Sequence, residues 1–507
     1  MLLLKKYWEE KPLLIVVFSA LFFRLLAVLF SKGYGMHDDH FLIIEAAQSW
    51  ADNHDYNNWL PSKEAANGPS GHSLFYTGMH FLFFKVLQFL GLYDPQFKMY
   101  LVRLLHAAFS MITVVLGYRI ALHYKGKELA RHVGLLLGLL WFMPMLSVRN
   151  LIEVVCVPFL ITATWLLIKN EQNNKSSIAF LAGLLAGMAF SIRFQSSLFI
   201  AGIGLVLLIQ KNWKAAISYG FGAALSIGIL QGITDFILWK RPFAEFAEYV
   251  RYNIENANNY NTQAWYQYFL LIGGILIPPI SLFMLFGFFR SWKKYFLLFL
   301  PSFIFLAFHS YFPNKQERFI FPIIPFLVIV GSMGWAEWVQ QSKFWQGRKK
   351  LLKGIWMWFW IINIIPLLAV SVAYSKRNRV EAMTYLSKKT DVRYLVIEDS
   401  NRDDFLMPPL FYLRNFNSNA WGVYGVTNQH SVKDLYLEQQ KLSKAETANY
   451  VIFFQEENLA RRIADFKKYY PDLKYETAIE PGFIDNVVHH LNPVNKNQVC
   501  FIFKMEK

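Results

Sequence analysis

The chain has 507 residues, 55% of them hydrophobic and 18% aromatic, with a formal net charge of +16. A soluble chain of this length would scatter its apolar residues at helix or strand period through separate domains. Here they fall in unbroken runs such as Pro12–Phe30 and Gly354–Ala373, which excludes an ordinary soluble enzyme. No basic stripe with recognition geometry accompanies the positive charge, so nucleic acid is not its expected partner.

Apolar runs of roughly 18 residues or more cross a bilayer as helices, and these lack the alternation of barrel strands. Met1–Lys11 and the run after it resemble a signal peptide, but no small-residue cleavage site follows. The segment therefore reads as a retained first helix. Spans are expected at 12–30, 99–121, 133–148, 151–169, 178–192, 194–210, 215–238, 265–289, 296–312, 319–339 and 354–374, about 11 in all. Leu74–Leu92 is treated separately, as a juxtamembrane or re-entrant helix, because counting it as a span inverts the later loops. Basic clusters at Lys5-Lys6, Lys125–Arg131, Lys211–Lys214, Arg290–Lys294 and Lys343–Lys353 then all face the cytoplasm. The fold class is an all-α polytopic membrane protein with a small C-terminal α/β domain. Residues 1–375 form the membrane domain, with a first external loop at 31–98. Residues 380–507 form an external domain with β-rich runs at Tyr394–Ile397, Tyr450–Phe454 and Val499–Phe503. Two cysteines, Cys156 and Cys500, give no disulfide framework.

The polar residues that remain collect on the non-cytoplasmic side. Met36-His37-Asp38-Asp39-His40 follows the first span. A carboxylate there can act as general base on an acceptor hydroxyl, and Asp with His can also hold a divalent cation. A solvated loop is the plainer alternative. Asn314-Lys315-Gln316-Glu317-Arg318-Phe319 lies between two spans. Lys315 and Arg318 can neutralise a phosphate, Arg through its bidentate fork, or they can snorkel to lipid headgroups. Arg24, Arg103, Arg149 with Glu153, and Arg193 with Gln195 sit inside or beside apolar runs, where ionisable groups mark functional sites by default. Arg149 and Glu153, four residues apart, would share a helical face and could simply pair. Arg193 has no carboxylate near it in sequence, and Arg24 receives no role. The loop 239–264, rich in Asn, Tyr and Trp, suits sugar recognition or an interfacial aromatic belt equally.

The order of these pieces resembles the family 22 glycosyltransferases, multispanning mannosyltransferases of N-glycan and GPI-anchor assembly with the GT-C fold. The resemblance covers residues 12–340 through the acidic pair, Arg103-Leu-Leu-His, Ser147-Val-Arg-Asn-Leu-Ile-Glu153, Gly183 to Arg193, Tyr260 to Tyr268 and Lys315-Gln-Glu-Arg-Phe319. His37-Asp38-Asp39 replaces the family's Pro-Asp-Glu type of motif, and Asn314 and Gln316 replace a His and a Glu. The resemblance implies inverting transfer of mannose from a polyprenyl-phosphate donor to a glycan or glycolipid hydroxyl. It implies Asp38 as base with Asp39 assisting, and Lys315, Arg318 and Arg193 on the donor phosphate. His37, His40, Glu317, Arg149, Glu153 and Gln195 are supporting residues. No metal or other cofactor is expected. Membrane lipid is the one further partner, and a bacterial inner membrane or endoplasmic reticulum the setting. A transporter or flippase of a lipid-linked substrate is the competing class, although such folds usually carry internal repeats that this chain lacks.

Overall fold

A computed structural model describes residues 7–56, 68–259, 261–413, 422–492 and 497–505. By contacts the chain divides into two units: Met1–Leu29, Pro61–Gly78 and Val102–Val372 in the first, Phe30–Leu60, Met79–Leu101 and Ala373–Lys507 in the second.

The first unit is helical. Among the described residues, Pro12–Phe30, Pro95–Lys125, Ile152–Asn170, Trp213–Trp239, Glu317–Gln341 and Lys349–Ser371 are long and apolar enough to cross a membrane. Ser176–Ile192, Ser196–Ile209, Ile280–Arg290 and Phe296–Tyr311 are shorter apolar helices. Pro12–Phe30 buries Val16, Ala20, Arg24 and Ala27 and exposes Phe18, Phe22 and Leu29. Large apolar groups outside and small or polar groups inside suit a helix solvated by lipid. Small residues also set the tightest packing. A Cβ on Gly183 would lie 2.1 Å from the Tyr219 carbonyl oxygen, and one on Gly222 would lie 2.2 Å from that of Phe180. Helices Ser176–Ile192 and Trp213–Ile227 therefore touch backbone to backbone.

Two expected spans are broken. The stretch 133–148 is a helix at Lys127–Leu139 and a short one at Met143–Ser147, with Pro144 in its first turn. The stretch 265–289 is divided into Gln267–Ile275 and Ile280–Arg290 by Pro278-Pro279. A proline ring removes a donor and collides with the preceding turn. Arg24 closes one of these breaks: its Nη1 donates to the Gly138 carbonyl at 3.0 Å, its Nη2 to that of Leu137 at 3.4 Å, and its Nε to Ser110 Oγ at 2.9 Å. Arg103 Nε likewise donates to the Val28 carbonyl at 2.8 Å. Both arginines thus satisfy carbonyls at helix C-termini, which carry partial negative charge.

The second unit holds a five-stranded sheet of β1 Tyr394–Glu398, β2 Val423–Val426, β3 Ala448–Phe454, β4 Leu473–Ile479 and β5 Cys500–Met505, in the order β2-β1-β3-β5-β4. β1 runs parallel to β2 and β3, while β5 is antiparallel to β3 and β4. Every residue of β3 is buried, as befits a continuous apolar run at a sheet's centre. Val396, Val451, Phe453, Phe466 and Phe503 belong to the core around it. Arg462 reaches across to Glu398, its Nε 2.7 Å from Oε2, and donates from Nη1 to the Phe454 carbonyl. Cys156 and Cys500 are buried free thiols.

In the same unit, Ser31 Oγ donates to the Ala373 carbonyl at 3.2 Å, the Ser375 amide donates to the Lys32 carbonyl at 3.1 Å, and Gly33 bridges Ser375. Gly33 has φ +77°, and a Cβ there would lie 1.8 Å from the Ser375 carbonyl oxygen. Gly33→Ala should therefore lower the melting temperature of the purified protein, at a cost above about 1 kcal/mol. An unshifted melting curve would show that this bridge is dispensable.

Candidate active site

Three cations of the first unit gather where the chain is least regular. Arg193 ends the helix Ser176–Ile192 in extended backbone, at φ −142° and ψ 112°. Its Nη1 pairs with Glu153 Oε1, and both side chains are 1% exposed. Arg318 Nε lies 3.6 Å from the same carboxylate oxygen and donates to Gln316 Oε1 at 2.9 Å. Among the described residues, Nε and Nη2 of Arg193 and Oε2 of Glu153 have no hydrogen-bond partner. Arg149 is buried too, but Glu153 turns to Arg193 and Arg318 instead of to it. The chain is extended at Leu151 and the helix begins only at Ile152, so no helical face joins residues 149 and 153. That corrects the expected pairing.

The loop before Arg318 is held by a short bridge between Thr262 and Asn314. The Lys315 amide donates to the Asn261 carbonyl at 3.1 Å. Lys315 Nζ donates to the Phe312 carbonyl and lies 5.9 Å from the Tyr268 ring centroid. Burial keeps this ammonium below its ordinary pKa. Beside the loop is a cavity of about 370 Å³, lined by Trp141, Gln263, Tyr268, Leu271, Gln316 and Glu317 among others. Its walls are mainly apolar and Gln316, the partner of Arg318, lies on its rim; Glu317 is exposed.

The loop 239–264 contributes more than its amides suggested. Tyr249 meets the Gln195 side chain and feels the charges of Arg193, Glu153 and Arg318, while burial pushes its hydroxyl up to about 12. It therefore stays a neutral donor. Glu245, wholly buried, accepts from the amides of Gly71 at 2.7 Å and His72 at 3.2 Å and from Trp239 Nε1 at 2.9 Å. Its own amide donates to Asp235 Oδ2 at 3.0 Å. Sequence reasoning missed Glu245 because two of its donors are backbone amides, which leave no mark in residue identity.

The acidic pair belongs to the second unit. Asp39–Glu45 winds as a π-helix, a form frequent at functional sites. Asp38, just before it, is half-buried, whereas Asp39 is 4% exposed. The two carboxylates thus point differently, Asp38 toward the surface and Asp39 inward. His37 packs on Phe41 at 4.4 Å between centroids. His40 lies between Tyr34 at 4.5 Å and Tyr412 at 5.5 Å, stacked on both. Burial pushes its pKa down to about 3, with Lys376 adding to the fall, so the ring is neutral. Among the described residues no group of three or more His, Cys, Asp or Glu could hold a metal ion. Lys376, whose Nζ donates to the Gly35 carbonyl at 2.5 Å, and Arg379, whose charge acts on Tyr34, were not singled out in the sequence. The basic run Lys376-Arg-Asn-Arg379 just after the last apolar stretch was their signal.

A bundle of apolar helices with buried cations beside a cavity, joined in one chain to a small sheet, is the architecture of the GT-C fold. Residues 15–398 match the Alg9-like mannosyltransferase family, and the chain belongs to that family. The GPI alpha-1,2-mannosyltransferase 3 of Xenopus laevis is 22% identical over 403 residues, covering 78% of this chain and 70% of that protein. The GPI mannosyltransferase 3 of Yarrowia lipolytica is 24% identical over 407 residues, covering 76% and 72%. Among solved structures, ArnT from Cupriavidus metallidurans bound to undecaprenyl phosphate superposes with TM-score 0.61 at 11% identity, covering 97% of each chain. The protein is an integral membrane mannosyltransferase.

Glu245 gives a pH test. Burial raises its pKa to about 7, with Asp235 opposing ionisation and the donors only partly offsetting it. A folded-state pKa above the ordinary carboxylate value contributes stability at low pH that is lost as the pH climbs through it. Glu245→Gln, an isostere of the protonated acid, should melt with the wild type near pH 5 and above it at pH 8. A difference in melting temperature that stays constant across this range would contradict the shift.

Proposed function

We propose that this mannosyltransferase moves mannose, with inversion, from a polyprenyl-phosphate donor to a glycan or glycolipid hydroxyl on the non-cytoplasmic face of the membrane. The observation that carries the reading is the convergence of Arg193 and Arg318 on the single carboxylate of Glu153. Both guanidiniums are buried beside that carboxylate, and Nε and Nη2 of Arg193 have no partner among the described residues. A phosphate monoester or diester is the ligand that such guanidinium donors fit. The mainly apolar cavity bordered by Gln316 and Tyr268 suits the first isoprene units of its tether. The solved ArnT complex holds undecaprenyl phosphate, a ligand of this class, and the named relatives are GPI mannosyltransferases. The loop-charge pattern supports the face, since basic loops favour the cytoplasmic side.

In the proposed step the acceptor oxygen bonds to the anomeric carbon while the bond from that carbon to the phosphate oxygen breaks on the opposite side. The phosphate leaves with the electron pair, and its charge grows from one negative to two. Arg193, Arg318 and Lys315 stabilise that growth, so no proton need reach the leaving group. Asp38 takes the acceptor's proton. Asp39, turned inward, fixes the segment that carries it, and His37 and His40 pack around the pair. Glu153 orients both guanidiniums, with Gln195, Arg149 and Glu317 flanking them. No divalent metal takes part, so a chelator should leave the rate unchanged.

Purified protein given polyprenyl-phosphate mannose and a glycolipid acceptor should release polyprenyl phosphate, and Asp38→Asn should reduce turnover at least about 100-fold without loss of fold. Full activity in Asp38→Asn would remove the base. Arg318→Lys should raise KM for the lipid donor, because a point charge replaces a fork; unchanged donor kinetics would remove Arg318 from the clamp. Movement of an intact lipid-linked sugar without release of polyprenyl phosphate would favour a transporter instead.

A further inference from the structure

One helix of the second unit is turned inside out. Phe483–Leu491 is amphipathic, with Phe483, Ile484, Val487, Val488 and Leu491 along one face and Asp485, Asn486 and His489 along the other. A helix on a water-soluble domain normally lays its apolar face on the core. Here no residue of the helix is buried, and Phe483 and Leu491 are 74% and 81% exposed. The polar face makes the attachments. Asp485 Oδ2 accepts the Lys376 amide at 2.6 Å, and Gln498 Nε2 lies 2.9 Å from His489 Nε2.

The place of attachment says what lies on the other side. Lys376 follows Ser371, the end of the last membrane helix, by five residues. Gly482, which precedes the helix, packs so closely on Tyr374 that a Cβ would lie 2.0 Å from its carbonyl oxygen. Tyr374 neighbours Ser375, which bridges Gly33, three residues beyond the end of the first membrane helix at Phe30. The chain is thus pinned to itself where two membrane helices emerge, and the helix hangs from that knot. At the level of a bilayer surface an outward apolar stripe has a solvent that suits it.

We propose that Phe483–Leu491 is an interfacial helix, lying in the headgroup region of the bilayer surface at which the first and last membrane helices end, with its apolar stripe in the lipid. Its polar face carries no Lys or Arg, so apolar burial and not lipid charge holds it there, and a zwitterionic bilayer suffices. The partner is the lipid surface itself.

The test uses the full chain in phosphatidylcholine nanodiscs, with a nitroxide introduced through Phe483→Cys, Val488→Cys, Leu491→Cys or Asn486→Cys. The native cysteines are buried, and near-ultraviolet circular dichroism matching the wild type admits a variant. Collision with oxygen relative to a water-soluble nickel chelate should be several-fold higher at 483, 488 and 491 than at 486. Nickel access equal at all four positions would place the helix in water and overturn the proposal. Exclusion of both reagents at 483 and 491 would also overturn it, because the stripe would then be covered by protein, whether a second copy or a different partner.

Discussion

Placing guanidinium groups inside a membrane helix bundle is possible only where other groups answer their charge, and this chain answers it in two ways. Arg24 gives its donors to carbonyls at helix ends and to Ser110, and Arg103 Nε donates to the Val28 carbonyl. Arg193 and Arg318 are met by one carboxylate, Glu153. There Nε and Nη2 of Arg193 have no partner among the described residues. The same residue type is thus structural at one site and ligand-ready at another, and the partner decides which.

The second unit treats its carboxylates similarly. Asp39 is drawn inward while Asp38 stays half-exposed, and the neighbouring histidine is stacked between tyrosines and held neutral. A neutral ring beside an acid neither neutralises it nor competes for its proton.

Much of the fold was legible because lipid imposes a coarse rule: long apolar runs become helices. The two broken spans were expected whole, although Pro144 and Pro278-Pro279 cannot donate to a helix ladder. The pairing of Arg149 with Glu153 failed for the same local reason, the extended backbone at Leu151, because four-residue spacing has meaning only inside a helix. Arg24 had no readable role because backbone carbonyls leave no trace in residue identity, and Glu245 stayed hidden because two of its donors are backbone amides. The cations of the Lys315–Arg318 loop were visible because they stand at a helix end against the usual charge bias. The strands β2 and β4 were missed, being short or partly exposed, whereas the apolar β1, β3 and β5 were anticipated.

In the proposed function the guanidiniums of Arg193 and Arg318 beside Glu153 take a lipid phosphate. Thermal melts of the purified protein with polyprenyl phosphate, and separately with the uncharged polyprenol of equal length, test it most directly, in the wild type and in Arg193→Gln. The account predicts that the phosphate raises the melting temperature of the wild type, that the alcohol does so far less, and that Arg193→Gln loses the difference between them. Equal stabilisation by alcohol and phosphate, or a variant that still distinguishes the two, would contradict it.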